Sequence, residues 1–454
     1  MLEPGLIGAY SSGAVAPDGT LWVAGYLEAN WEDDFPFGDL VVGRYDGSRV
    51  LWKAVDGVPD EPAVDIESYD PKGFRGGQTE PGLDVGLWSS IAIDADGNPA
   101  VAYYDATNRA LRYAHLQGDT WSVSVVEQRD YADLGRYAKL LFLQGRPTIS
   151  YLFIEPGEGG TLDSGVRVAS GSTASAADVS WSFEAVATDD ATPCRTAYCR
   201  PGTRCVADSG LCADTADGCA DCGSGEECVD VGGQPVCEQI VAASAPETYP
   251  DALGLYVSAT LHPSGGVALA FYDRIHGNVV VARPDGGGWT TVIADGELGG
   301  DDTGDKGIGT SLAVDGAGNY HLAYVDGVDE ALNYMLVVDG ATPSSPEVVD
   351  DGYGVFGQSF ADGKHLVGDD SNILVTQGGD VRITYQDASA GTLRLAVGTT
   401  SGDGHTWATS ELTQEGFAGA FSQQLDYAGA LRVMSWWREA SPYSIGDVRL
   451  MPSP

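Results

Sequence analysis

Basic residues are scarce in this chain. Its 454 residues include 24 Lys and Arg against 66 Asp and Glu, so the formal net charge is −42 at pH 7. Nucleic acids are bound through Lys and Arg, which displace counterions from the phosphates, and anionic membrane surfaces attract the same residues. The composition therefore argues against both partners. A strongly acidic surface instead favours solubility, cation binding or a basic partner.

Long apolar segments are missing as well. No uninterrupted run of 18 apolar residues occurs, so the sequence predicts neither a membrane-spanning helix nor membrane insertion. The first residues, Met1-Leu2-Glu3-Pro4, have neither the basic nor the apolar region of a secretory signal peptide. Together with the cysteine pattern below, this leads us to expect a mature or trimmed chain.

Cysteine is absent from most of the chain and dense in one short segment. The eight cysteines are Cys194, Cys199, Cys205, Cys212, Cys219, Cys222, Cys228 and Cys237. Such a cluster is typical of a disulfide framework, which persists in oxidising compartments. The segment has no His, and its single Cys-x2-Cys pair lacks the second hairpin of most zinc sites. We predict four disulfides, whose pairing the spacing does not determine, and a secreted, extracellular or cell-surface protein.

Familiar catalytic motifs are also lacking. The chain contains no Gly-x-Ser-x-Gly, no His-Glu-x-x-His and no phosphate-binding loop. Acidic residues are numerous enough for paired carboxylates, so a glycosidase remains among the alternatives. The sequence assigns no catalytic residue.

A repeated glycine indicates the architecture. Each copy has a glycine, then an aromatic residue or its replacement two positions later, then small polar residues. The copies begin at Gly8, Gly86, Gly135, Gly254, Gly307, Gly368 and Gly419. Most lie about fifty residues apart, a period typical of stacked β-units. Runs such as Ala100–Asp105 alternate with Asp-Gly and Gly-Asn turns, which predicts four antiparallel strands in each unit.

Seven such units predict an all-β fold, a seven-bladed β-propeller of four-stranded antiparallel blades with a small disulfide-rich insert. Blades one to three occupy residues 1–189, and blades four to seven occupy residues 244–454. The cysteine-rich module occupies residues 190–243 between blades three and four. The seventh unit ends after Leu450 without an obvious fourth strand, which leaves the closure of the ring undetermined.

The repeats resemble those of bacterial secreted β-propellers, on the copies Ser89–Asp94 and Tyr103–Asp105. The segment Ser401–Trp407 is similar to the Asp-box, a turn of sialidase-like propellers, but is one residue short of the usual spacing. The cysteine segment is similar to EGF-like or knottin-like modules. The resemblance implies a fold and leaves the activity undetermined, because one fold hosts many functions. It also implies that the Asp-box residues are structural, because Asp-boxes lie away from the catalytic face of sialidases.

The innermost strand of each blade supplies the candidate ligand-binding residues, because its polar positions line the central channel. Two residues after the repeat glycines stand Tyr10, Trp88, Tyr137 and Tyr256, and four residues after them stand Ser90, Lys139 and Ser258. One alternative is a hydrated channel with aromatic rings wedged between blades. The other is a funnel suited to sugars or extended polar ligands.

Aspartates are concentrated on the face that carries the interblade loops. Asp301, Asp302 and Asp305 offer the oxygen ligands that calcium prefers, although no EF-hand is present. The aspartates that end the second strands offer either calcium ligands or caps for backbone donors; these are Asp105, Asp273, Asp326 and Asp387. Calcium is the one cofactor expected, as a secondary hypothesis.

The main functional hypothesis is an extracellular or cell-surface binding or assembly module. One propeller face and the cysteine-rich insert would engage a protein or glycan partner. The first alternative is a glycoside hydrolase or lyase acting at the central funnel. The second is a structural subunit of a surface filament or envelope complex.

Overall fold

The computed structural model describes most of the chain. The described residues are 6–29, 37–59, 64–65, 75, 81–157, 162–191, 203–206, 211–223, 226–239, 251–296, 304–353, 363–402, 404–413, 416–439 and 446–454. Strands dominate these residues, and none of their helices is long and apolar enough to cross a lipid bilayer.

The strands group into seven radial blades and one separate small sheet, and blades 7 and 1 are joined into a single nine-stranded sheet. Blade 1 contains β1 (Leu6–Val15), β2 (Leu21–Ala29), β3 (Phe37–Tyr45), β4 (Val50–Asp56) and the short β5 (Val64–Asp65). Blade 2 contains β6 (Val85–Ile93), β7 (Pro99–Asp105), β8 (Ala110–Gln117) and β9 (Thr120–Glu127). Blade 3 contains β10 (Asp133–Leu143), β11 (Arg146–Pro156), β12 (Leu162–Gly171) and β13 (Trp181–Ala191).

The small sheet follows blade 3 in the chain and precedes the remaining four blades. It contains β14 (Thr203–Val206), β15 (Leu211–Thr215), β16 (Glu226–Val231) and β17 (Gln234–Gln239). Blade 4 contains β18 (Leu253–Leu261), β19 (Val267–Asp273), β20 (Asn278–Asp285) and β21 (Gly288–Asp295). Blade 5 contains β22 (Lys306–Val314), β23 (Tyr320–Asp326), β24 (Ala331–Val338), β25 (Thr342–Pro343) and β26 (Glu347–Asp350). Blade 6 contains β27 (Val367–Val375), β28 (Val381–Asp387), β29 (Thr392–Ser401) and β30 (Gly404–Glu411). Blade 7 contains β31 (Phe417–Ala418), β32 (Gln423–Tyr427), β33 (Ala430–Arg438) and β34 (Gly446–Pro452).

This arrangement confirms the predicted all-β, seven-bladed propeller with a disulfide-containing insert. Within a blade, neighbouring long strands run antiparallel to each other, as in blade 2. The second strand of a blade is buried along its whole length, as in β7, β19 and β23, because adjacent blades cover both of its faces. Burial on both faces explains why the sequences of these strands are almost continuously apolar and aromatic.

Turn chemistry explains the Asp-rich connections between the first two strands of a blade. The Asp94 carboxylate accepts hydrogen bonds from the backbone N–H of Asp96 at 2.9 Å and of Asn98 at 2.8 Å. Asp315 accepts equivalent bonds from Ala317 and Asn319. Asp side chains stabilise such turns locally, so the sequence signal here is independent of the tertiary fold.

The ring closes between β34 of blade 7 and β1 of blade 1. Leu6 pairs with Gly446 in parallel, and the indole N–H of Trp436 donates to the Ile7 carbonyl at 3.0 Å. Across the same junction the Trp52 indole N–H donates to the Asp447 carboxylate at 3.0 Å. Blade 7 has no full-length fourth strand among the described residues. The parallel pair, these hydrogen bonds and side-chain packing against blade 1 together close the ring.

The cysteine-rich insert has its own sheet and its own core. Disulfides join Cys219 to Cys228 and Cys222 to Cys237. Cys194 and Cys199 lie outside the described residues. The buried side chains of Val206, Ala213 and Val236 form a separate small cluster. So few apolar residues leave much of the stabilisation to covalent crosslinks.

Candidate functional site

A backbone bulge recurs at the same place in the innermost strands and sets the geometry of the channel mouth. In β6, for example, Leu87 pairs with Tyr104 but the next pair is Ser90 with Ala102, so Trp88 and Ser89 are left outside the ladder. The bulge places the second residue after each repeat glycine at a positive φ: Tyr10, Trp88, Tyr137, Tyr256, Gly309, Asp370 and Phe421. Bulky residues rarely adopt this conformation. Because this positive-φ conformation occurs in every blade, the packing of the assembled propeller must enforce it.

Five of these residues form a continuous aromatic arc around the channel, consisting of Phe421, Tyr10, Trp88, Tyr137 and Tyr256. Successive ring centroids lie 4.7, 5.2, 5.3 and 5.0 Å apart. All five side chains are half-buried, so each keeps part of its ring accessible.

Hydroxyl groups from the neighbouring blades hold the bulges in place. The Ser89 hydroxyl donates to the Tyr10 carbonyl at 2.7 Å, and the Ser371 hydroxyl donates to the Gly309 carbonyl at 3.0 Å. These bonds cross from one blade to the next, so the arc is held by the assembled ring and does not depend on any single blade.

The two serines predicted as ligand-binding residues, Ser90 and Ser258, join adjacent blades. The Ser90 hydroxyl accepts the backbone N–H of Leu140 at 2.9 Å, and Ser258 accepts that of Leu312 at 3.0 Å. The equivalent residues Ser12, Ser311, Asn372 and Gln423 accept the same bond at their own junctions. Lys139 occupies the seventh position, and an ammonium group cannot accept a hydrogen bond. Lys139 is therefore the one member of this set that does not join two blades in this way.

Lys139 and Asp370 carry opposite charges within the channel. Both side chains are exposed to solvent, although the walls of the channel surround them. Burial, reinforced by the negative charge of Asp369, raises the pKa of Asp370 to about 6. Burial lowers the pKa of Lys139, although the Asp370 charge acts in the opposite direction.

The Asp370 carboxyl faces the aromatic arc. Burial is the main reason that the pKa values of Tyr10, Tyr137 and Tyr256 are raised, and the Asp370 charge raises all three further. These tyrosines belong to blades 1, 3 and 4, whereas Asp370 belongs to blade 6. A charge that acts on residues from so many blades lies near the channel axis.

Ion pairs surround the mouth of the channel. The Arg136 guanidinium lies 5.1 Å from the Trp88 ring centroid and forms an ion pair with Asp133 at 3.0 Å. Arg274 pairs with Asp251 at 3.0 Å. Because both arginines have a carboxylate partner, they add little net positive charge to the rim.

The strand-end aspartates cap backbone donors, which is the second of the two roles considered for them. Asp105 accepts the N–H of Asn108 at 2.9 Å, and Asp326 accepts that of Val328 at 3.0 Å. Asp273 and Asp387 cap their own turns with equivalent bonds.

The calcium hypothesis remains a prediction. Asp301 and Asp302 lie outside the described residues, and Asp305 accepts the Tyr272 hydroxyl. Within the described ranges, the one group with metal-binding geometry is Cys222, Glu226 and Cys237. Its two cysteines form a disulfide, so they offer no thiolate ligand.

Asp370 and Phe421 were not among the candidate residues, yet they belong to the same ring as Tyr10 and Trp88. The available signal was their position, two residues after Gly368 and Gly419. At this position the candidate set includes only the aromatic residues of blades 1 to 4.

Comparisons with known proteins give distant structural similarity only. No family model and no curated protein matches the chain. An α-L-arabinanase from Penicillium chrysogenum complexed with arabinobiose has a TM-score of 0.42 and 13% identity, over 80% of this chain and 92% of that one. A leech intramolecular trans-sialidase has a TM-score of 0.37 and 9% identity, over 99% and 92% of the two chains. A fucose-specific lectin from Aleuria aurantia has a TM-score of 0.33 and 13% identity, over 81% and 97%. Similarity at this level bears on neither the activity nor the ligand.

Proposed function

We propose that this protein binds a glycan at the mouth of the central channel. The observation that carries the proposal is the aromatic arc, five contiguous and partly accessible rings with the Asp370 carboxyl facing them. Sugar rings present apolar C–H faces and a rim of hydroxyl groups. A site with aromatic walls and a few polar groups matches both features.

The proposal agrees with the main hypothesis of a secreted or cell-surface binding module. The two disulfides of the insert suit an oxidising compartment. The insert, which follows blade 3 in the chain, and the interblade loops would extend the binding surface toward a larger glycan or a protein partner. Particle size in solution would test the alternative of a filament or envelope subunit.

Removing one central ring of the arc should abolish most of the binding. We expect Trp88→Ala to weaken glycan affinity at least about ten-fold, because Trp88 contacts both Tyr10 and Tyr137 and offers the largest stacking surface. Isothermal titration with oligosaccharides selected on a glycan array measures the change.

Phe183→Ala provides the matched control, since Phe183 is an exposed aromatic residue on the outermost strand of blade 3. It should bind as the wild type does. Thermal unfolding of both variants checks that the propeller stays folded. Unchanged affinity in a folded Trp88→Ala protein would place the glycan elsewhere.

One observation favours a second candidate function, a glycoside hydrolase or lyase acting at the same mouth. A carboxyl group with a pKa of about 6 is protonated often enough near neutral pH to act as a general acid, and Asp369 stands next to it. Asp370 would then protonate the leaving oxygen of a bound glycan.

We expect any turnover to depend on Asp370. Assays of pooled polysaccharides by release of reducing ends, and by ultraviolet absorbance for lyase products, should show activity that Asp370→Asn eliminates while binding persists. Turnover that survives this substitution would exclude Asp370 as the acid. Binding without turnover by the wild-type protein would support the binding function alone.

A further inference from the structure

The gap in the aromatic arc is occupied by an acidic residue. Seven equivalent residues surround the channel mouth, and five of them are aromatic. The other two are Gly309, which has no side chain, and Asp370. A Cβ atom built on Gly309 would lie 3.8 Å from the Gly368 carbonyl oxygen and 3.9 Å from the Asp370 backbone nitrogen, so Gly309 adjoins the Asp370 backbone and adds no side chain next to it. Five aromatic side chains, one carboxylate and one open position therefore surround the channel mouth.

Aromatic faces and carboxylates share an affinity for organic cations. Ammonium groups are attracted to the faces of Trp, Tyr and Phe within about 6 Å of the ring centroid. A neutral sugar can stack on the rings and donate hydroxyl hydrogen bonds to a carboxylate, but only a ligand with an ammonium group also gains charge pairing from that carboxylate. The combination found here suits a ligand that carries both an apolar sugar face and a positive charge.

The charges around the arc reinforce this preference. Burial is the main cause of the raised pKa values of Tyr10 and Tyr256. Glu28 and Asp84 raise the pKa of Tyr10 further and Asp305 raises that of Tyr256, while Arg136 and Arg274 act on the two groups in the opposite direction. The rim arginines Arg136 and Arg274 are paired with carboxylates. With a net charge of −42, the field of the whole protein also attracts cations toward the mouth.

Two basic groups oppose a cationic ligand. The Arg136 guanidinium lies 5.1 Å from the Trp88 ring centroid, although it is paired with Asp133. Lys139 stands two residues farther along the strand than the arc, and burial disfavours its protonated form. Replacing Lys139 by an uncharged side chain should therefore favour a cationic ligand.

We propose that the glycan bound at the aromatic arc carries protonated amino groups, as a polymer with free glucosamine units does. Asp370 pairs with the ammonium group while the sugar ring stacks on the arc. The proposal rests on the glycan-binding function proposed above and names the class of its ligand.

Titration calorimetry with three oligosaccharides of equal length tests the proposal. The probes are a glucosamine oligomer, its fully N-acetylated counterpart and a glucuronate oligomer. We expect the glucosamine oligomer to bind at least about ten-fold more tightly than the N-acetylated one, and the glucuronate oligomer to bind most weakly. Affinity for the amino form should rise between about pH 5 and pH 6, where Asp370 ionises while the amino groups of the ligand remain protonated, and binding of the N-acetylated form should stay nearly constant.

Three variants separate the local site from the general acidity of the protein. Asp370→Asn should weaken binding of the amino oligomer about ten-fold and leave the N-acetylated one almost unchanged, while Lys139→Met should strengthen binding of the amino oligomer. Asp119→Asn removes the same charge at an exposed turn between β8 and β9, on the opposite face, and should change neither.

Each outcome decides between the proposals. Equal affinity for the amino and N-acetylated oligomers would overturn the amino-glycan inference and leave glycan binding intact. The same loss in Asp119→Asn as in Asp370→Asn would show non-specific attraction to an acidic protein, and would also overturn it. A wild-type protein that binds none of the three probes, and no other glycan on an array, would overturn both.

Discussion

Substituting Gly135 by alanine is expected to destabilise the propeller severely. Gly135 is the third residue of β10 and packs against β8 of the preceding blade, where a Cβ atom would lie 2.9 Å from the Leu111 Cα atom. Backbone atoms cannot move aside as a flexible side chain can. Its φ of +113° adds a second cost, because alanine rarely adopts that conformation. We expect a loss of about 3–5 kcal/mol in the free energy of unfolding.

Gly118→Ala separates the steric cost from the conformational cost. Gly118 also has a positive φ, of +63°, but a Cβ atom there would meet nothing within 4 Å. This variant should lose only about 1 kcal/mol. Urea unfolding followed by tryptophan fluorescence compares the two proteins. Equal losses would show that the close approach between blades does not explain the repeated glycine.

Removing the guanidinium of Arg75 should have an effect of similar size. Arg75 belongs to the long connection between blades 1 and 2, and both it and Asp39 are fully buried. Its Nε atom lies 2.7 Å from one Asp39 oxygen, and its Nη2 atom lies 3.0 Å from the other. Arg75→Met would leave the Asp39 carboxylate buried without its main partner. Breaking such a pair costs about 3–5 kcal/mol.

The loss in Arg75→Met should depend on pH. Burial raises the pKa of Asp39, and Arg75 counteracts that rise. Without Arg75 the folded state would hold the Asp39 proton more tightly than the unfolded state does, so stability would fall as pH rises. The variant should therefore approach wild-type stability in mild acid and be least stable at neutral pH.

Arg129→Met serves as the control, because the Arg129 side chain is 47% exposed and its two carboxylate partners, Glu127 and Glu155, both keep Arg167 as a second partner. Exposed pairs contribute about 1 kcal/mol or less. A double variant, Asp39→Leu with Arg75→Met, should recover much of the loss because no buried charge is left. If Arg75→Met behaves like Arg129→Met at every pH, the buried pair does not anchor the connection.

The fold could be predicted in detail because its determinants are local and repeated. A glycine is needed wherever an innermost strand meets the preceding blade. The seven repeated glycines therefore mark the seven junctions between blades. Aspartates such as Asp94 and Asp315 specify their turns through bonds to residues two and four positions away. The dense cysteines predicted the insert, because a module with so small an apolar core depends on crosslinks for its stability.

The sequence by itself thus determined the number of blades, the order of the strands and the presence of a crosslinked insert. Only the tertiary structure decided which residues form the candidate site. The arc joins Tyr10 to Phe421, which are far apart in the chain, and ring closure alone brings their centroids to 4.7 Å. The same closure directs Asp370 toward tyrosines of three other blades. A repeat pattern records what each blade contributes, whereas the charge and shape of a channel depend on all seven blades together.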